Sequence, residues 1–196
     1  MENWTEKYRP RHLDDVVGND MALQQLRQWA KQWQQGQPKH KAVILSGKAG
    51  IGKTSAAHAL ANDYGWQTIE LNASDARSKD VIRRTAFSGA VNETFSPNGE
   101  YSPSTAGGGT LIIIDEADNL YEKQGDRGGT GAIIDTIQQT RQPVVLIVND
   151  YYQLTRGAGK PLKSLCWHIA FKPVGDELVD VLQHISQAEG VQVDND

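Results

Sequence analysis

Short unbroken apolar runs alternate along this chain with polar, glycine-punctuated segments. Three runs, at 42–46, 111–114 and 143–148, are almost wholly aliphatic, as strands buried on both faces of a parallel sheet are. Weaker, more alternating runs at 67–71 and 167–171 predict two further strands. Between them, apolar residues recur at helical spacing. Leu23, Leu26, Trp29, Ala30 and Trp33 mark a helix over 21–35, with Asn19 or Asp20 as its N-cap. A second helix is expected over 53–64, closed by Gly65, and a third reaches about Thr140 with Ile133, Ile134 and Ile137 on its buried side. Brief helices are expected at 81–87 and 162–166. Strands and helices in alternation predict an α/β fold around a parallel sheet.

The pattern changes at Pro173. Leu178, Val181, Leu182 and Ile185 give an amphipathic helix within 174–189, ended by Gly190. One such helix makes no domain, so it is expected to open a second unit that 191–196 does not complete. At the other end, 4–10 is an aromatic, basic arm. It is expected to be extended, because Pro10 disfavours helix at Arg9.

Chemistry concentrates at the ends of the apolar runs. Gly47-Lys48-Ala49-Gly50-Ile51-Gly52-Lys53-Thr54 stands between the first strand and a helix. Glycines there let backbone N–H groups wrap a phosphate at a helix N-terminus that already favours an anion. Lys53 is spaced to reach terminal phosphates and the Thr54 hydroxyl to touch a magnesium ion. A glycine-rich turn with an incidental lysine would not require both end residues and the strand–turn–helix setting. The run 111–114 leads into Asp115-Glu116-Ala117-Asp118, and ligands of open α/β sheets bind at such carboxyl ends. Asp115 is placed to hold magnesium, partly through water, and Glu116 to orient or deprotonate an attacking water. The run 143–148 ends in Asn149-Asp150. A polar side chain there would lie between the phosphate loop and Asp115, within reach of a γ-phosphate or the water. A plain Asn/Asp turn closing the strand is compatible with that role.

Composition narrows the classes. A length of 196 residues suits one α/β domain and a little more, and a net charge of −4 argues against a wholly basic, histone-like protein. Room remains for a local basic patch: Arg77, Lys79, Arg83 and Arg84 gather at a helix start. On charge alone they are either a solvated face or contacts to DNA phosphates. The single cysteine, Cys166, permits no internal disulfide, and the five histidines lie without metal-site spacing. Without an apolar run near the roughly 20 residues of a membrane span, or a secretory signal, a cytoplasmic protein with no membrane partner is expected. The segment 89–109, rich in Gly, Ser, Pro, Thr and Asn with Phe95 and Tyr101, is too long and polar for an ordinary connection. It is either a mobile loop or a partner-binding excursion.

Taken together, Thr5-Glu6-Lys7-Tyr8-Arg9-Pro10, the 47–54 loop, Glu70-Leu71-Asn72-Ala73-Ser74-Asp75, Ile114 to Asp118 and Asn149-Asp150 resemble the clamp loader ATPases of the AAA+ class. Asp126-Arg127-Gly128-Gly129 and Leu165-Cys166 are similar to the large subunits of archaeal replication factor C. The resemblance covers nearly the whole chain. It implies a five-stranded parallel sheet of order 5-1-4-3-2 flanked by helices in a nucleotide-binding domain over 1–172, whose first 20 residues form an adenine-side arm. A helical lid would begin over 173–196.

ATP and Mg2+ are implied as ligand and cofactor. Tyr8, Arg9 and Val17 would border the adenine; Gly47, Lys48, Ala49, Gly50, Ile51, Gly52, Lys53, Thr54 and Ser55 would hold the phosphates; Asn149 would be the residue called sensor 1. Lys53, Asp115, Glu116 and Asn149 would carry hydrolysis. Implied partners are small clamp loader subunits in a five-member hetero-oligomer, a sliding clamp, and primer–template DNA touched by Arg77, Lys79 and Arg83. Clamp contact through 89–109, with Phe95 or Tyr101 as anchor, is a further expectation. The family's small subunits carry a Ser-Arg-Cys triplet whose arginine enters the neighbour's site. Here the triplet reads Ser164-Leu165-Cys166, so this chain would receive such an arginine without giving one. Two other readings stay open: a P-loop kinase, which would need an acceptor pocket, and a scaffold that binds ATP without splitting it.

Overall fold

The computed structural model describes residues 4–73, 109–121, 129–175 and 177–191. Its helices are α1 (Trp4–Lys7), α2 (Asp20–Gln34), α3 (Lys53–Asp63), α4 (Gly129–Gln139), α5 (Tyr151–Leu154), α6 (Leu162–Leu165) and α7 (Glu177–Ala188). Its strands are β1 (Ala42–Ser46), β2 (Gln67–Asn72), β3 (Thr110–Asp115), β4 (Val144–Val148) and β5 (Cys166–Ala170). All five pair in parallel in the order β2-β3-β4-β1-β5, the implied order read from the opposite edge. The expected short helix at 81–87, the cluster Arg77, Lys79, Arg83 and the stretch from 89 to 108 lie outside the described residues.

Why β1, β3 and β4 are aliphatic apart from Ser46, Thr110 and Asp115 at their ends follows from their two covered faces. Val43, Leu45, Leu111, Ile113, Val145 and Ile147 point to one side and pack with Leu26 and Trp29 of α2 and Ala57 and Leu60 of α3. Ile44, Ile112, Ile114, Val144, Leu146 and Val148 point to the other and meet Ile133 and Ile137 of α4, Leu154 and Leu162. Each side chain of this size contributes about 1.5–3 kcal/mol when fully buried. The edge strand β2 is largely exposed, and there the sequence alternates.

Two local expectations change. The arm opens with a helical turn: the Tyr8 N–H donates to the Trp4 carbonyl at 3.0 Å. Pro10 constrains Arg9 alone, the residue directly before it, so a turn ending at Lys7 is free to form. Asn19 occupies the N-cap position of α2, but in the left-handed region with φ 59 and without a capping bond. Its side chain pairs instead with Lys172 just past β5, the amide donating to the Lys172 carbonyl at 3.0 Å and the oxygen accepting from its N–H at 2.7 Å. In α4 the expected buried side holds: Ile133 and Ile137 are fully buried, and Ile134, partly buried, packs against the same cluster.

The last helix, α7, leaves Leu178, Val179 and Leu182 about half exposed, at 46%, 49% and 57%. At its end Glu189 accepts from the Lys7 ammonium at 2.5 Å and from the Tyr8 hydroxyl at 2.7 Å. The arm and α7 are thereby joined.

Candidate functional site

The carboxyl ends of β1, β3 and β4 deliver their following residues to one place. The Gly47 N–H donates to the Val148 carbonyl at 3.3 Å, and the Ala73 N–H to the Asp115 carbonyl at 2.9 Å, so the pairing of the sheet runs on into the loops. A cavity of about 390 Å³ opens there. It is lined by Ala49, Gly50 and Gly52 of the loop after β1 with Lys53, Thr54 and Ser55 of α3, by Asp115 and Glu116 at the end of β3, and by Ile147, Val148 and Asn149 at the end of β4.

Glycine is required in the first loop for two reasons. Gly47, Gly50 and Gly52 have φ values of 146, 76 and 88, a region L side chains avoid. A Cβ at Gly47 would also lie 2.5 Å from both the Phe171 carbonyl oxygen and Ile51 Cδ1. Lys53 opens α3 and is buried at 6% exposure. Its ammonium donates to the carbonyls of Gly47 at 2.6 Å and Lys48 at 2.7 Å, and to Asn149 Oδ1 at 3.3 Å. Burial pulls the Lys53 ammonium below the usual lysine range, while the carboxylates of Asp115 and, to a smaller extent, Asp118 pull it back. Thr54 Oγ1 donates to Asp115 Oδ2 at 2.8 Å. A hydroxyl and a carboxylate so close together are the hard oxygen donors that magnesium takes, with waters and phosphates completing its shell. The residues present therefore fit that ion.

Glu116 has φ 52, an uncommon conformation for a residue other than glycine, Asn or Asp. Its surroundings hold it there. The Glu116 N–H donates to Asp115 Oδ1 at 2.7 Å, and Asn119 donates through its side chain to Glu116 Oε2 at 3.0 Å and through its backbone to the Glu116 carbonyl at 2.9 Å. Strained backbone of this kind clusters at functional sites. Asn149 and Asp150 divide the two readings of their dipeptide. Asn149 faces Lys53, whereas Asp150 Oδ1 accepts from the N–H groups of Tyr152 and Gln153 at 2.8 and 3.1 Å and caps α5.

One participant has no place in the residue-by-residue reading of the sequence. Asp118 is buried at 4% exposure, and its Oδ2 accepts from the N–H groups of Asn149 at 3.0 Å and Asp150 at 2.9 Å. Its position three residues after Asp115 was the available signal. Not every expected residue lines the cavity. Tyr8, Arg9 and Val17 do not line the cavity, and neither do Gly47, Lys48 or Ile51. Val16, beside Val17, lies 3.9 Å from where a Cβ on Gly52 would sit. Tyr8 is tied to Glu189, whose hydrogen bond raises the phenol above its usual range. Leu165 packs against the apolar core, and Cys166 is buried with its thiol pushed up to about 12. Among the described residues, no helix is long and apolar enough to cross a membrane.

Residues 43–156 match the model of the ATPase family associated with various cellular activities, AAA. The chain is 50% identical to the replication factor C large subunit of Methanosarcina mazei over 189 residues, covering 96% of this chain and 28% of that protein. It is 46% identical to the replication factor C large subunit of Natronomonas pharaonis over 197 residues, covering 100% of this chain and 37% of that protein. It thus spans about a third of the length of these curated relatives. Among solved structures, the Thermotoga maritima RuvB Holliday junction branch migration motor is similar in fold, with TM-score 0.66, 19% identity and coverage of 95% and 56% of the two chains. The FIGL-1 AAA domain in complex with ADP has TM-score 0.66 at 20% identity, covering 90% and 61%.

Proposed function

The chain belongs to the AAA family of ATPases, and from that premise we propose that it is the ATP-hydrolysing part of a clamp loader large subunit. The observation that carries this reading is the convergence of Lys53, Thr54, Asp115, Glu116 and Asn149 around one cavity. Their residue types supply what hydrolysis of a triphosphate needs. The likeness to replication factor C large subunits directs the ATPase reading toward clamp loading.

In this reading the loop 47–55 takes the phosphates, and the Lys53 ammonium exchanges the carbonyls of Gly47 and Lys48 for phosphate oxygens. Thr54 and Asp115 would hold magnesium, which when bound neutralises charge on the phosphates. Glu116 orients the attacking water and accepts its proton as the water oxygen bonds to the γ-phosphorus and the bond to the β–γ bridging oxygen breaks. ADP and phosphate leave. Asn149 donates to the γ-phosphate or fixes the water, and Tyr8, Arg9 and Val17 lie on the adenine side. Residues 1–172 form the nucleotide-binding domain and 173 onward the start of a lid. Arg77, Lys79 and Arg83 track DNA phosphates. Small subunits in a five-member assembly, a sliding clamp and primer–template DNA are the partners, in the cytoplasm. A carboxylate able to activate water, Glu116 directly after Asp115, favours hydrolysis over transfer to a bound acceptor.

The test is ATP turnover by the full-length protein purified with its small subunits, measured with and without clamp and primed DNA. Turnover that rises when both are added supports the proposal. Turnover indifferent to both, or phosphate appearing on a small-molecule acceptor, would overturn it.

A further inference from the structure

Between the loop that follows β3 and the loop that follows β4 lies a buried carboxylate that the hydrolytic scheme does not use. Asp118 belongs to the 3-10 turn Ala117–Tyr121. One of its oxygens accepts from the backbone N–H groups of both Asn149 and Asp150, while its backbone carbonyl accepts from Gln153 Nε2 at 3.1 Å. Its other oxygen, Oδ1, is buried and has no hydrogen-bond partner among the described residues.

A carboxylate kept at this depth with an unpartnered oxygen is costly, so the two charge-assisted bonds it does make have a consequence worth that cost. They fix the backbone from which the Asn149 side chain projects. From the far side the same loop is held by Tyr151, whose ring stacks on His168 of β5 with centroids 3.7 Å apart. Asn149 Oδ1 in turn meets the Lys53 ammonium. The turn after Asp115 and Glu116 is thus wired directly to the residue that would face a terminal phosphate.

We infer that Asp118 is a positioning residue, which sets Asn149 relative to the phosphates through the paired N–H groups of Asn149 and Asp150. This rests on the hydrolytic reading of the site. Misplacing a reacting or orienting group by about 1 Å can cost on the order of 100-fold in rate. Asp118→Ala removes both acceptor bonds. It lowers the hydrolysis rate by a factor of that order and leaves nucleotide affinity near that of the parent, because the phosphate loop keeps its own contacts. Asp118→Asn keeps a neutral, weaker acceptor and gives a smaller loss.

The discriminating experiment is a double-mutant cycle on the full-length protein in its native complex, read by single-turnover hydrolysis and by equilibrium binding of a fluorescent ATP analogue. In an Asn149→Ala background both Asp118 substitutions are expected to cost nothing further, since the side chain they position is gone. A merely structural residue would slow the Asn149→Ala protein by the same factor as the parent, or lose binding in step with rate. Either result overturns the inference, as does turnover unchanged in both single variants. If Asp118→Ala does not fold, the Asp118→Asn cycle carries the same outcomes: a measurable loss that vanishes in the Asn149→Ala background supports the inference, while no loss or a persistent one overturns it. Glu116→Gln serves as the separate control. Hydrolysis untouched by Glu116→Gln discards the ATPase reading itself, whereas trapped ATP there beside unaffected Asp118 variants discards only the role of Asp118.

Discussion

The Lys53 ammonium already has three acceptors, two of them backbone carbonyls of its own loop. Binding a triphosphate is therefore an exchange of partners, and its gain is the difference between a neutral and a charge-assisted bond. Lys53→Ala should still weaken ATP binding by roughly tenfold or more, from the 1.5–3 kcal/mol of a bond between charged groups; titration calorimetry measures it. Glu116→Gln should bind ATP normally and slow its hydrolysis by about 10²–10⁴, read in single-turnover assays. Gly47→Ala should destabilise the fold by at least about 1–3 kcal/mol, because φ 146 is joined by the 2.5 Å approach of the Phe171 carbonyl. Urea unfolding would show it. The residues of the phosphate loop, Asp115, Glu116 and Asn149 were legible from the sequence because each follows an apolar run that must be a central strand. Asp118 was not. A carboxylate two residues past Glu116 reads as a solvated charge until the 3-10 turn buries it under the β4 exit.

For the elements, legibility follows burial. Strands covered on both faces have one solution, and the implied sheet order holds. What escaped the reading depends on which distant group a polar side chain finds. Asn19 caps nothing and instead ties the start of α2 to Lys172, a partner that no local rule names. Asn19→Gly keeps the left-handed backbone and removes only those bonds, so a loss of about 1 kcal/mol in denaturant unfolding would assign the effect to the tie. A second cross-element contact is pH-dependent. His12 Nδ1 lies 2.7 Å from Asp63 Oδ1 at the end of α3, and that hydrogen bond raises the imidazole above its usual range. A raised folded-state pKa stabilises fully below the ordinary histidine range and loses its effect as pH climbs through the higher value. The thermal midpoint should then fall between pH 6 and pH 8 by more in the parent than in His12→Gln, and equal shifts would dismiss the pair.

Across the whole molecule, Lys7, Tyr8 and Glu189 join the arm to α7, while the sheet is braced on both faces. Glu189→Gln should speed amide exchange at Tyr8, whose N–H closes the α1 turn, and leave β1, β3 and β4 protected. The order of the strands also has a bearing on how the chain is made. Both neighbours of β1 come late, its first residue Ala42 pairing with Val144 and Cys166, roughly a hundred residues further on. Contacts of such long sequence separation form slowly. During synthesis the fully buried β1 must wait, unpaired, for the final third of the domain, and the phosphate loop attached to it has no floor until then. A nucleotide held at the joined ends of β1, β3 and β4 would bind the finished sheet and stabilise completed chains by mass action. Nucleotide would in that way help decide which newly made copies survive.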